Sequence, residues 1–389
     1  MSKVGLLKTP IESCSREKIE ELLNLINYRP QKEKILIKPN LVTDTPAEKG
    51  VITHPKVVEA ICDYFIERGH LEIIIGEGSA FFHKPHHFEH LLKVCGYEDL
   101  QKKPEVTILN LEEKSVERDI YPWKYGELKL PKLIKTHEYV NVPTMKTHYQ
   151  TRVTLGCKNQ KGLLQLKDKK NFHRQDLNPY ILELNNLITP DLTIMDAIYG
   201  LEGNGPALNP MSYPVELNLL LASRDTRALD NACCKLMGIE VAEVPHLPKE
   251  KFKLVGKPPL QEVQRNFKKP TWITYFDNIG RYMAEKCCTS CQIANSQMLR
   301  KIEFTPELEQ QFEKLKNKYK TIYTVYGADP DLKELKINEN VKILCFGNCT
   351  KKFAEEHNYP WIGGCPPEYH EMVHFLLNEG QISEENKDC

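Results

Sequence analysis

Ile35-Leu36-Ile37-Lys38-Pro39-Asn40, followed by Thr53-His54-Pro55 and then by Leu71-Glu72-Ile73-Ile74-Ile75, decides the fold of this chain. The first run is a short apolar strand stopped by Pro39, which has no N–H to give a ladder. Thr53-His54-Pro55 opens a helix with Pro just inside its start. Val57, Val58, Ile61, Phe65 and Ile66 recur along it at helical spacing, and Gly69 closes it. Leu71–Ile75 is a second buried strand. Strand, helix and strand at this separation make a βαβ unit, which requires a parallel sheet.

Working outward, residues 16–27 read as a preceding helix. Glu138–Val142, Asp191–Met195 and Glu216–Leu221 read as strands, and Thr226–Met237 as a helix closed by Gly238. Residues 244–272 break the pattern, with Pro245, Pro248, Pro258, Pro259 and Pro270 among lysines. Beyond them, residues 274–287 read as a helix leading into Cys287. Thr305-Pro306 opens another helix to about Tyr319, 322–325 and 341–346 are strands, and 351–357 and 368–377 are helices. The expected class is α/β: a mostly parallel sheet with flanking helices, plus a smaller C-terminal α/β cysteine module. The expected division is a main domain over 1–243, a Pro/Lys-rich linker over 244–272 and the cysteine-rich module over 273–389.

Composition narrows the partners. Lys+Arg and Asp+Glu stand at 53 each, so the net charge of zero asks for no nucleic acid and no membrane surface. Apolar runs such as Leu217–Ala222 are far too short to cross a bilayer. The first residues lack a signal-peptide pattern, so a cytoplasmic location is expected, and with it few disulfides. Of 13 cysteines, six are scattered over the first 240 residues, where small buried hydrophobes are expected; seven crowd into 287–389.

Those last cysteines carry chemistry. Cys288 and Cys291 come from one Cys-x-x-Cys turn, with Cys287 competing with Cys288 for the same role. Cys349 in Gly347-Asn348-Cys349 and Cys365 in Gly363-Gly364-Cys365-Pro366-Pro367 follow apolar runs. Four thiolates select iron–sulfur clusters or zinc over hard cations. A Cys followed by Pro is a recurring iron–sulfur environment. A [4Fe–4S] cluster on Cys288, Cys291, Cys349 and Cys365 is the expectation, with zinc as the alternative.

A second group of motifs falls just after the strands of the main domain: Lys38-Pro39-Asn40, Thr53-His54-Pro55, Gly76-Glu77-Gly78-Ser79, Lys146-Thr147-His148, Gly156-Cys157-Lys158-Asn159-Gln160-Lys161-Gly162, His173, Asp196 and Glu202-Gly203-Asn204-Gly205-Pro206. On one sheet edge these lysines and histidines would form a cationic pocket for a small anionic substrate. Lys38, Asn40, Gly76, Gly78, Asn159, Lys161, Gly203 and Gly205 are candidate binding residues, the glycines letting backbone N–H groups approach an anion. Lys146, His148 and Glu202 are the catalytic candidates for proton transfer. His83, His86, His87 and His90 read as a solvated loop.

In this order, over roughly residues 33–240, the motifs resemble the family catalogued as domain of unknown function 362. The resemblance implies an α/β main domain beside an iron–sulfur module. Gly364-Cys365-Pro366-Pro367-Glu368 with the earlier Gly-x-Cys and the Cys pair resembles the cluster site of NADH–quinone oxidoreductases and hydrogenase small subunits. The expected function is therefore that of an iron–sulfur protein with a redox or electron-transfer role on a small anionic substrate. No nicotinamide or flavin fingerprint is present, which points to an external donor such as a ferredoxin. The alternatives are a non-redox acid–base enzyme or ligand-binding protein with structural zinc or cluster, and a metal- or cluster-handling accessory protein. Assembly into a homo-oligomer stays open.

Overall fold

The structure, a computed structural model, describes the chain apart from residues 42, 79–86, 174–176, 210, 272, 277, 285–286, 332, 334, 336, 338–339 and 382–389, and apart from the side chains of 87, 170, 173, 273–276, 289, 292–293, 296 and 300. His83 and His86 of the expected histidine loop thus lie outside the described residues, as do the side chains of His87 and His173. The chain divides into two compact units, Met1–Asn171 with Asn178–Pro270, and Phe172–Leu177 with Thr271–Cys389.

In the first unit the strands are β1 (Ser2–Lys8), β2 (Ile35–Pro39), β3 (Ile73–Glu77), β4 (Val106–Asn110), β5 (Arg118–Trp123), β6 (Gly126–Pro131), β7 (Glu138–Val142), β8 (Thr144–His148), β9 (Arg152–Thr154), β10 (Leu192–Gly203), β11 (Ser212–Ser223) and β12 (Phe252–Lys257). The main sheet runs β12-β1-β11-β10-β7-β2-β3-β4, with β8 and β9 branching from β10, while β5 and β6 form a separate hairpin. β2 is parallel to β3 and β7, β4 to β3, and β10 to β7. The antiparallel pairs β1–β11 and β10–β11 complete one side. Ile35, Leu36 and Ile37 are fully buried, as a strand covered on both faces requires.

The helix Pro55–Ile66 starts as its sequence dictates: the His54 side chain accepts from Lys56 N, and Val57, Val58, Ile61 and Phe65 are buried. Cys14, Cys62, Cys95, Cys157, Cys233 and Cys234 are all buried thiols. β10 runs on past the expected 191–195, through Asp196 to Gly203, because Ile198, Tyr199 and Leu201 continue a β-forming run that pairs with β11. Inside the Pro/Lys-rich stretch, Phe252–Lys257 adds to the sheet parallel to β1, and Pro258-Pro259 ends it.

Sheet order and chain order part at β2. β3 and β4 follow on one side of it, β7 and β10 on the other. Open α/β sheets leave their crevice outside the carboxyl ends of the strands at such a reversal.

The second unit has its own sheet, β13 (Ile273–Phe276), β14 (Ile279–Met283), β15 (Thr321–Tyr326), β16 (Val341–Phe346) and β17 (Trp361–Ile362), in that order. All neighbours are parallel except β13 and β14. The helix expected over 274–287 is instead a β13–β14 hairpin. Ile273, Thr274, Tyr275, Ile279 and Tyr282 are β-branched or aromatic, and that preference outweighs the helical spacing. Met298, Ile322, Tyr326, Leu344, Phe346, Met372 and Leu376 form the centre of this unit's core.

Candidate functional site

Lys38 sits near the end of β2, whose two faces are covered, so its side chain has no route to water. It is 0% exposed. Its Nζ donates to Glu77 Oε2 at 2.9 Å, to Pro39 O at 3.0 Å and to Asn159 Oδ1 at 3.4 Å. Glu77 ends β3 and also accepts from Gly78 N and Leu41 N. Asn159 ties the strands together. Its Oδ1 accepts from Asn40 Nδ2 at 2.9 Å, and its Nδ2 donates to Asn141 Oδ1 at 2.8 Å. Lys146, from β8, donates to Asn40 Oδ1 at 3.0 Å and to Val51 O at 2.5 Å. Lys38, Asn40, Asn159 and Lys146, four of the sequence-derived site residues, thus form one hydrogen-bonded network at the carboxyl ends of β2, β3 and β7, where sheet order reverses.

The short helix Gly156–Asn159 brings Asn159 and Lys158 to this place. Asp230, on the helix Thr226–Met237, accepts from Gly156 N and Cys157 N, both at 2.8 Å. Burial pushes the Asp230 carboxyl up to about 7, against those two donors. Asp196 accepts from His54 N at 2.8 Å and Ile198 N at 3.1 Å, and burial lifts it to about 6.

Glycine keeps the approach narrow at two points. A Cβ on Gly162 would run into the Glu77 carboxylate and the Lys38 ammonium, and one on Gly78 would meet Lys169 Nζ and Gly162 O. Gly76, by contrast, faces the Leu111 and Leu36 side chains, so its role is packing within the sheet.

The network is rich in lysine. Lys169 is paired with Glu112 at 2.7 Å, as Lys38 is with Glu77. Burial moves Lys146 down to about 7, with Glu77 opposing and Lys38 adding to the shift. Burial together with Lys169 takes Lys161 to about 7. Lys158 falls well below the usual range through burial, then through Lys161 and Lys146. Lys158 is 8% exposed, and its side chain makes no ion pair with a described carboxylate. Neither Lys158 nor Lys169 stood out in the sequence. Lysines are common, and only burial sets these two apart.

His148 and Glu202 occupy a neighbouring locus. His148 Nδ1 accepts from Gln150 N at 3.0 Å and Thr151 N at 3.3 Å, fixing the β8–β9 turn. Glu202 accepts from Lys268 N at 3.2 Å. Gly203 has φ +80° and its N–H donates to Lys268 O, while Gly205 O accepts from Tyr149 N. A Cβ on Gly205 would strike Thr147 O. These glycines let the 202–206 loop close on its neighbours.

In the second unit the thiols gather at the carboxyl ends of β15 and β16. Cys291 is hydrogen-bonded to Cys287 and Cys288, and Cys349 interacts with Cys365 and Cys288. Cys287 and Cys291 are buried, whereas Cys349 and Cys365 are exposed. The donor set is all sulfur, which is the chemistry a soft metal needs. Among the described residues, however, no three Cys, His, Asp or Glu side chains surround a point as a metal ion would require. No described helix is long and apolar enough to cross a membrane.

The family model described as Domain of unknown function (DUF362) matches residues 35–235, just over half of the chain. The Thylakoid-associated protein sll1697 of Synechocystis sp. is 29% identical over 237 residues, covering 59% of this chain and 71% of that protein. A crystal structure of a Thermotoga maritima protein, solved by a structural genomics consortium, aligns with a TM-score of 0.36 and 15% identity over 56% of this chain. The chain spans 58% of that protein's length.

Proposed function

The chain belongs to the domain of unknown function 362 family, and we propose that its first unit binds a small anionic substrate at the sheet-reversal crevice, with Lys146 as the proton-transfer group. One observation carries this reading: Lys146 and Lys158 are 1% and 8% exposed, and neither makes a direct ion pair with a described carboxylate, Glu77 acting on Lys146 only at longer range. A buried charge without a counter-charge costs several kcal/mol, and strongly displaced titrations of this kind concentrate at functional sites. A bound anion supplies the missing charge. As a neutral amine, Lys146 spends its two hydrogens on Asn40 Oδ1 and Val51 O and keeps a lone pair for a substrate proton. A group titrating near 7 serves as base and acid alike. His148 and Glu202 fix the adjoining turn and loop, which makes them positioning residues.

Calorimetric titration of the full chain with small mono- and dianions tests this. Binding that Lys146→Met abolishes, with the fold intact, is the expected result. Unchanged affinity in that variant would overturn it.

The all-thiol set favours a second, compatible reading for the other unit, in which Cys288, Cys291, Cys349 and Cys365 hold a [4Fe–4S] cluster, with Cys287 competing for the place of Cys288. Such a cluster supplies one-electron chemistry, fed by an external carrier of the ferredoxin class. A structural zinc is the competing occupant. Iron, sulfide and zinc analysis of anaerobically purified protein separates the two.

A further inference from the structure

Resting on the anion-binding reading, we infer that the ligand of the first unit carries a compact dianion of the phosphate type. Three features of the site point there. The first is charge: the two buried lysines without carboxylate partners, Lys146 and Lys158, stand in electrostatic contact with each other, so one ligand can answer both, and it needs two negative charges to do so. The second is donor type. The cations of the network, Lys38, Lys146, Lys158, Lys161 and Lys169, are all lysines. The nearby Arg118 donates to Leu111 O, to Lys129 O at 3.3 Å and to Leu163 O at 3.5 Å, which leaves only its buried Nε without a partner. The arginine fork serves carboxylate and phosphate alike, whereas lysine acts as a point charge that can meet a tetrahedral oxyanion from several sides.

The third feature is the missing side chains at Gly78 and Gly162. A Cβ on Gly78 would meet Lys169 Nζ, and one on Gly162 would meet Glu77 Oε1 as well as Lys38 Nζ. Without side chains there, only backbone stands beside these lysines, as close approach of a phosphate demands. Lys158 is also nine-tenths buried, and its side chain makes no ion pair with a described carboxylate. A lysine enclosed this far, beside Lys161 and Lys146, is favoured as a cation only when an anion reaches it.

Thermal melting of the full chain in inorganic phosphate, sulfate and acetate at matched ionic strength tests the inference. Phosphate and sulfate should each raise the melting temperature by several degrees, and acetate should not. The Lys158→Met variant should melt above the wild type without added anion, and it should lose the phosphate-induced rise. Acetate acting as strongly as phosphate would overturn the dianion and leave the anion-binding reading standing. If no anion shifts the melt, both fall. A Lys158→Met chain that melts lower and still responds to phosphate would show a structural lysine and overturn the inference.

Discussion

Replacing Glu77 by Gln probes the polar centre of the first unit most directly. The Glu77 carboxylate accepts from Lys38 Nζ at 2.9 Å, from Gly78 N at 2.9 Å and from Leu41 N at 3.3 Å. Glutamine keeps the shape, removes the charge and leaves a single acceptor oxygen for three donors. Lys38, 0% exposed, then retains only Pro39 O at 3.0 Å and Asn159 Oδ1 at 3.4 Å. Removing one partner of a buried ion pair costs about 3–5 kcal/mol. In a domain of this size 1 kcal/mol moves the melting temperature by about 2–4 °C, so a fall of roughly 6–20 °C is expected. Scanning calorimetry at several pH values reads it. Burial already holds Lys38 below its ordinary range, and Glu77 opposes that shift. Without Glu77 the folded-state value drops further, so the stability deficit is full while Lys38 is charged opposite an ionised Glu77 and shrinks as pH rises through the lowered Lys38 values. Adding Lys38→Met removes the stranded charge and should recover much of the loss. A Glu77→Gln protein melting within about 2 °C of the wild type at neutral pH, with the double variant no better, would refute the reasoning.

Other outcomes follow from the same geometry. Anion affinity should fall as pH rises through about 7, because the ligand prefers Lys146 as ammonium; calorimetry across that range checks it, and an affinity that holds steady from about pH 6 to 8 would refute it. The Asp230 carboxyl, raised to about 7, lets the folded chain take up a proton that the unfolded chain binds only near 3.8. Its contribution to stability therefore grows as pH falls between those values, by at most about 1.4 kcal/mol per pH unit. The stability difference between wild type and Asp230→Ala, from urea unfolding, should widen from about pH 8 to 5. Gly162→Ala should lower the melting temperature by several degrees and weaken anion binding, since its Cβ displaces the Lys38–Glu77 pair. Cys349→Ser should strip iron and sulfide from anaerobically purified protein; retention of the full wild-type iron content would remove Cys349 from the ligand set.

Ile35–Ile37 and the Pro55 helix were legible because each combines apolar spacing with a stop or start that has a local cause. Lys38, Asn40 and Lys146 were singled out as residues just after strands; Lys38 instead lies near the end of β2 and Lys146 lies within β8, a strand the sequence reading did not include, and Asn40 joins them. Residues 273–283 misled because their apolar positions fit a helix by spacing, while their β-branched and aromatic character, together with pairing to β15, made them strands. Lys158 stayed hidden for another reason. Whether a lysine is solvated or enclosed depends on Asp230 pinning the helix Gly156–Asn159 from 70 residues away, and no local pattern encodes that. The hub role of Asn159 is likewise a product of three segments meeting, residues 38–40, Asn141 and the helix Gly156–Asn159.

β1 has a consequence for how this chain comes off the ribosome. It is flanked by β11 and, in register from Ser2 with Phe252 to Leu7 with Lys257, by β12. Neither neighbour exists when Ser2–Lys8 emerges. At about 5–20 residues per second, roughly 12–50 s separate synthesis of the two members of the β1–β12 pair. Through that interval a strand bearing Val4, Leu6 and Leu7 has no partner, while β2, β3, β4 and β7 can already assemble the central sheet. Ser2–Lys8 are thus made long before they are placed, and a nascent chain stalled before residue 212 would present an open sheet edge to chaperones or to other copies of itself.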